Sequence, residues 1–200
     1  MASRLRRGLH IPAALALALL LANGCSLFKP RNARTGETPT TGCLELVATS
    51  NIVLNTEAQY GRPGGSTCYA SGIDTGFVFH PDPADSTDAV PATPWVGWTR
   101  DVETTAETRL GADAESVAVV FDREYQNPTL SQDTETHYYA YHVLFNPVGP
   151  APTVRYQGQA DITYRRGAGD NKWRIVDWVD KRDGSGLPTW GILRRAYRSP

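Results

Sequence analysis

The sequence lacks the residue patterns on which metal sites and common catalytic sites depend. Its three cysteines and four histidines, among 200 residues, form no CxxC, HxH or HExxH motif, which excludes the familiar zinc-binding motifs. A Gly-x-Ser-x-Gly nucleophile elbow, a phosphate-binding loop and a dinucleotide-binding fingerprint are also missing. We therefore expect neither a metal ion nor a nucleotide cofactor.

Charge of one sign is nowhere concentrated. Hydrophobic residues make up 40% of the chain and charged residues 20%, which are the proportions of an ordinary globular domain. Without residues 1–24, which contain three arginines, 17 basic residues remain against 21 acidic ones, a formal charge of −4. Nucleic-acid binding depends on clustered lysines and arginines, so we expect no nucleic-acid partner.

No apolar run reaches the roughly 20 residues that a membrane-spanning helix needs. The apolar run Ile11–Ala22 is nearer half of that length, and it follows the basic residues Arg4, Arg6 and Arg7. Residues 1–24 contain no acidic residue. This layout predicts an export signal that is removed from the mature protein, and a retained transmembrane anchor is the alternative.

The end of this segment, Leu21–Cys25, resembles the lipobox of bacterial lipoproteins, in which small residues precede a cysteine that receives the lipid. Asn23 departs from that pattern, so simple secretion is the alternative to lipidation of Cys25. Ser26 resembles the residue found in lipoproteins that are sent to the outer membrane. The resemblance implies an exported, lipid-anchored protein of the outer membrane that faces the periplasm or the cell surface.

Residues 25–41 are rich in polar and turn-forming residues, which predicts a flexible tether, and the folded domain then covers residues 42–200. If Cys25 carries the lipid, Cys43 and Cys68 remain as a pair. Disulfides persist in exported proteins, so we expect a bond between these two cysteines. Two buried thiols in neighbouring helices would produce the same sequence pattern.

Apolar spacing predicts helices in the first half of the domain and strands in the second. The spacing favours helices over Cys43–Gln59 and Ser66–Ala70, then a strand over Gly76–His80. A longer helix is expected to begin at Thr93 and end at Gly111. Four β-rich runs follow with short breaks, which predicts an antiparallel meander. The runs are Ser116–Tyr125, Thr136–Asn146, Thr153–Arg166 and Lys172–Asp180.

This order of elements, with the terminal strand Trp173–Trp178, resembles the nuclear transport factor 2-like superfamily. The superfamily includes ketosteroid isomerases and polyketide cyclases. The resemblance implies an α+β fold, in which N-terminal helices pack under a curved antiparallel sheet to form a cone-shaped α+β barrel. More narrowly, Phe79–Asp85, Trp98–Asp101 and Thr189–Ile192 resemble a group of bacterial lipoproteins of this fold with no assigned activity. Because this fold hosts enzymes and non-enzymes alike, the resemblance transfers architecture without chemistry.

Strand alternation offers one set of residues for acid–base chemistry. In the second β-rich run, one face is predicted to carry His137, Tyr139, Tyr141, Val143 and Phe145. In the last run, Asp177 falls on the apolar face with Trp173. A buried Asp177 opposite Tyr139, Tyr141 or Tyr164 would support isomerase- or cyclase-like catalysis. The alternative is an ion pair of Asp177 with Arg165 or Arg155.

A shared metal site among the histidines is not expected, because His137 and His142 lie five residues apart in one strand and point to opposite faces. We expect a pocket domain that binds a small apolar ligand, lined by Tyr139, Tyr141 and Trp173, or a protein partner. A homodimer through the sheet face is a further expectation. The alternatives are the enzyme described above and a structural envelope lipoprotein whose cone is filled by its own side chains.

Overall fold

The computed structural model describes residues 42–63, 65–86 and 95–198. The predicted export signal, Cys25 and the predicted tether lie outside these residues. Among the helices in the described ranges, none is long and apolar enough to cross a membrane.

Two short helices, one strand and a longer helix precede the main sheet. Helices α1 (Thr49–Gln59) and α2 (Thr67–Ser71) are followed by strand β1 (Ile73–His80), a 3-10 turn at Pro83–Ser86 and helix α3 (Arg100–Asp113). The second half holds four long strands and a terminal helix. These elements are β2 (Ala114–Leu130), β3 (Thr134–Pro147), β4 (Val154–Arg166), β5 (Trp173–Lys181) and α4 (Trp190–Ala196).

The strands form one curved five-stranded sheet in the order β1-β5-β4-β3-β2. Neighbours from β2 to β5 are antiparallel, as the meander predicts. The predicted α+β fold, with N-terminal helices and a curved sheet, is thereby confirmed. Two details differ from the expectation: β1 runs parallel to β5, so the sheet is mixed, and the sheet does not close into a barrel because β1 and β2 remain its edges.

Of the three predicted helix starts, Ser66 is confirmed as the N-cap of α2, and the other two differ from the structure. Thr93, one of these two, lies outside the described residues. Helix α1 begins at Thr49, six residues after Cys43. Helix α3 begins at Arg100, because Gly97 adopts a φ of 69°, which a helix started at Thr93 could not continue through. Gly111 does not end α3 either. A Cβ atom there would lie 2.3 Å from the Arg62 carbonyl oxygen, so this glycine allows close packing.

A disulfide joins Cys43 to Cys68, with their Cα atoms 5.1 Å apart, which confirms the predicted pair. Cys43 lies in the segment that leads to α1, so the bond fastens the start of the domain to α2. In the chain-entropy treatment, closing a loop of this size stabilises the folded state by about 3 kcal/mol.

Candidate functional site

An irregularity in the last strand decides which carboxylate enters the cone. Thr163 pairs with Asp177, but the next residue of β4, Tyr164, pairs with Ile175. Val176 is therefore an extra residue, as in a β-bulge, and it reverses the alternation of inward and outward side chains. Trp173 and Ile175 are buried before the bulge, and Trp178 and Asp180 are buried after it.

Asp177 consequently lies on the outer face of the sheet, and its predicted place among apolar residues is wrong. Its side chain is 36% exposed, and its Oδ2 atom lies 2.9 Å from Nε2 of His80. The alternative partners are engaged elsewhere: Arg165 binds Asp74, and Arg155 donates to Gln157. The structure therefore does not bring Asp177 together with the tyrosines of the inner face.

The acidic residue of β5 that does point into the interior is Asp180, which is fully buried. Its Oδ1 accepts a hydrogen bond from the Tyr141 hydroxyl at 2.5 Å, and its Oδ2 accepts one from the Gly191 amide at 2.6 Å. Burial raises the pKa of Asp180 to about 6, against the opposing effect of these hydrogen bonds. Both carboxylate oxygens serve to hold the first turn of α4.

Helix α4 fills the interior of the cone with two large side chains, Trp190 and Arg194, which are both fully buried. The Arg194 Nε atom lies 3.0 Å from Oε1 of Glu103 on helix α3. Its guanidinium carbon lies 4.1 Å above the Trp178 ring and 4.7 Å above the Phe79 ring. An ion pair enclosed by aromatic faces therefore occupies the space between the sheet and α3.

Two of the three predicted ligand-lining residues are buried by other parts of the chain. The Tyr141 side chain is 0% exposed, and its hydroxyl also accepts a hydrogen bond from the Trp190 amide. Trp173 is 2% exposed and lies beneath the Arg166 guanidinium. The chain itself covers both side chains, whereas Tyr139 lies further along the inner face.

A second set of polar side chains lies where β3 begins, on the predicted inner face. Nδ1 of His137 lies 2.6 Å from Oε1 of Glu124, and its Nε2 lies 3.0 Å from Oε2 of Glu135. The His137 ring is parallel to the Tyr139 ring at a centroid distance of 5.7 Å, and its edge meets the Tyr164 ring at 5.6 Å. We call these five residues the His137 cluster.

The His137 cluster joins a buried hydroxyl pair to partly exposed charges. The phenols of Tyr139 and Tyr164 lie close enough for each to affect the pKa of the other. Burial is the main cause that raises the pKa of both phenols, and the nearby carboxylates raise it further. By contrast, the side chain of His137 is 13% exposed and that of Glu124 is 37% exposed. The cluster thus connects solvent to the aromatic interior.

The hydrogen-bonding chemistry of the cluster is defined by its two carboxylates. An ionised carboxylate only accepts hydrogen bonds, and each nitrogen of His137 lies within hydrogen-bond distance of one carboxylate. Sequence alternation correctly placed His137 and Tyr139 on one face, but Glu124 and Glu135 were not among the predicted site residues. Glu135 could have been found from its spacing of two from His137, whereas Glu124 depends on the bulges of β2.

No group of three or more histidine, cysteine or acidic side chains in the described ranges is arranged to hold a metal ion. His142 lies on the outer face, where its Nδ1 is 2.9 Å from Oδ2 of Asp122. It is therefore separated from His137 by the sheet.

Replacing Asp180 with asparagine is expected to remove a pH dependence of stability. Because the folded pKa is about 6 and the ordinary value is 3.8, the folded state holds this proton more tightly than the unfolded state. The contribution of Asp180 is fully present below pH 3.8 and is lost as pH rises to 6. Relative to Asp180→Asn, the wild-type free energy of unfolding should thus fall by about 2 kcal/mol between pH 4 and 7. Urea denaturation at several pH values measures this difference. The outer-face variant Asp177→Asn is the control: if the wild-type free energy of unfolding falls by the same amount relative to this variant, the effect is not specific to Asp180.

Comparison with known proteins yields similar structures and no sequence family. No family model matches the sequence, and no curated protein matches it. The similar solved structures include a nuclear transport factor 2-like superfamily protein from Salmonella enterica, at 12% identity and a TM-score of 0.37. That match covers 70% of this chain and 83% of the other.

Two further solved structures show the same level of similarity. ActVI-ORFA from Streptomyces coelicolor is 18% identical with a TM-score of 0.40, and the match covers 57% of this chain and 80% of the other. A conserved protein from Planctomyces limnophilus is 12% identical with a TM-score of 0.42, over 55% and 74% of the two chains. At these sequence identities and TM-scores the likeness concerns only the path of the backbone. The chemistry of the site rests on the residues described above.

Proposed function

We propose that this protein is exported, anchored to the outer membrane through a lipid on Cys25, and binds a small molecule at the His137 cluster. The observation that carries the binding proposal is the pairing of His137 with Glu124 and Glu135 beside the Tyr139 and Tyr164 hydroxyls. Ligand sites combine an apolar wall with a few convergent polar groups. This part of the inner face has both.

The contacts around the cluster favour a mainly apolar ligand that carries one polar group. The Phe121 ring lies 5.0 Å from the Tyr139 ring and supplies an apolar wall. Glu57, on helix α1, accepts a hydrogen bond from the Phe121 amide, and burial raises its pKa. A ligand would place its apolar body on the aromatic rings and its polar group on His137 or a carboxylate.

Acid–base catalysis of an isomerase- or cyclase-like kind is the second candidate function. It is favoured by the position of His137 between two carboxylates and next to two tyrosine hydroxyls, an arrangement that can donate or accept a proton. A purely structural envelope role is favoured by the region around Trp190 and Arg194, which the chain fills itself. The homodimer expected through the outer sheet face stays a prediction.

Mass spectrometry of the membrane-extracted protein tests the anchor and the site together. We expect an acyl mass on Cys25 and a co-purifying small molecule with the wild type. The variant His137→Phe should lose the small molecule because it removes both carboxylate contacts. The matched variant His142→Phe should keep it, because it changes the same residue type on the outer face of the same strand.

The possible results separate the two parts of the proposal. Protein that is cleaved but carries no acyl group would contradict the anchor. A folded wild type without any bound molecule would contradict the proposed site. So would a His137→Phe variant that retains the bound molecule. Circular dichroism of each variant checks that the fold is intact.

A further inference from the structure

The described chain enters the domain at one end of the sheet. The carbonyl oxygen of Leu46 accepts a hydrogen bond from the Trp173 amide at 2.8 Å, where β5 begins. The Thr49 hydroxyl donates to Glu135 at 2.9 Å, where β3 begins. Register places the end of β2 and the end of β4 here as well, since Leu130 pairs with Glu135 and Arg166 pairs with Trp173. We call this the tether end.

The tether end presents two large apolar side chains to solvent. Val47 is 61% exposed and Leu130 is 63% exposed. The Arg165 side chain, which is 55% exposed and forms an ion pair with Asp74, lies at the same end because Arg165 is opposite Thr134 at the start of β3. Single exposed apolar residues are common on protein surfaces, so the place of these two, beside the incoming chain, is the informative feature.

The chain that precedes the tether end limits how far this end can lie from a membrane. If Cys25 is acylated, as the proposed function requires, residues 25–41 connect the lipid to the domain. A chain of 17 residues spans at most about 60 Å when fully extended, so the anchor limits the distance between the lipid surface and the point at which the chain enters the domain. The tether end is therefore the part of the domain that the anchor holds nearest to the lipid surface.

We propose that the tether end docks on the bilayer, with Val47 and Leu130 among the lipid headgroups and Arg165 beside their phosphates. Apolar side chains bind a membrane by insertion of about 5–10 Å into the boundary between headgroups and acyl chains, and arginine adds attraction to anionic lipids. The His137 cluster lies at the same end, since Glu135 bonds Thr49. Docking thus turns the proposed ligand site toward the membrane, and the ligand class it serves is a membrane amphiphile.

Fluorescence of a membrane-sensitive label tests this orientation in the full, acylated chain. Single cysteines for the label are introduced as Val47→Cys and Leu130→Cys at the tether end. The matched control is Val148→Cys, which is 65% exposed in the wild type and follows the opposite end of β3. The acylated proteins are placed on vesicles of phosphatidylethanolamine and phosphatidylglycerol that contain brominated lipid.

We expect blue-shifted, strongly quenched emission from labels at positions 47 and 130, and emission at 148 that equals that of protein without vesicles. Equal quenching at all three positions, or quenching at 148 alone, would overturn the docking proposal. The acyl mass of each preparation is determined first. An acylated protein without quenching at 47 and 130 contradicts docking alone, whereas a protein without an acyl group contradicts the anchor on which docking depends.

Discussion

Replacing Arg194 with methionine is expected to lower the free energy of unfolding by about 3–5 kcal/mol. The substitution leaves the fully buried carboxylate of Glu103 without its cation. The hydroxyl of Tyr69 and the indole nitrogen of Trp98 still donate to that carboxylate, but neither neutralises its charge. Urea denaturation at pH 7 measures the loss.

A matched variant and a double variant test the cause of this loss. Arg165→Met removes an exposed arginine from its pair with Asp74, and surface pairs of this kind contribute about 0–1 kcal/mol. Combining Arg194→Met with Glu103→Gln removes both buried charges and should recover part of the stability. If Arg194→Met costs no more than Arg165→Met, the buried ion pair does not stabilise the cone as described.

Replacing Trp190 with alanine is expected to lower the free energy of unfolding by about 3–5 kcal/mol through a cavity in the core. The Trp190 ring lies 4.8 Å from the Tyr60 ring and 5.0 Å from the Trp178 ring, with both pairs edge to face. It also contacts the Tyr141 ring at 5.6 Å. Loss of this side chain removes contacts with the residue that follows α1, with β3 and with β5 at once.

The variant Trp190→Phe keeps an aromatic ring in the same place and should cost about 1–2 kcal/mol. Near-ultraviolet circular dichroism should report loosened aromatic packing in Trp190→Ala and little change in Trp190→Phe. Equal stability of the two variants would show that the ring does not fill the cone. The effects of Trp190→Ala and Arg194→Met are not expected to add, because the two side chains contact each other.

Helix starts were the least predictable part of the fold. Apolar residues recur at intervals of four here, at Trp98, Val102, Ala106 and Leu110. Val102 is half-buried and the other three are buried, yet Trp98 precedes the helix. A buried stripe can continue through a turn, because burial depends on what the side chains contact and not on the backbone conformation between them. The spacing therefore identified the face that packs on the core without identifying the residue at which α3 begins.

The candidate site shows why some functional residues escape sequence reasoning. His137 and Tyr139 follow from alternation within one strand. Their partner Glu124 belongs to a neighbouring strand, and its position opposite Tyr139 depends on irregularities of the ladder. A register shift changes which side chains meet across two strands, and the residues on one strand do not encode where the shift falls.

The sequence by itself determined the four long strands, the disulfide pair and the α+β class of fold, because alternation, turn residues and cysteine count are local properties. The tertiary structure decided which acidic residue of β5 is buried. Strict alternation predicts that Asp177 points into the core. The extra residue Val176 reverses the alternation, so Asp180 is buried instead. Only the pairing of β4 with β5 fixes that bulge, so the filled interior around Arg194 and the partly exposed His137 cluster could be distinguished only in the folded chain.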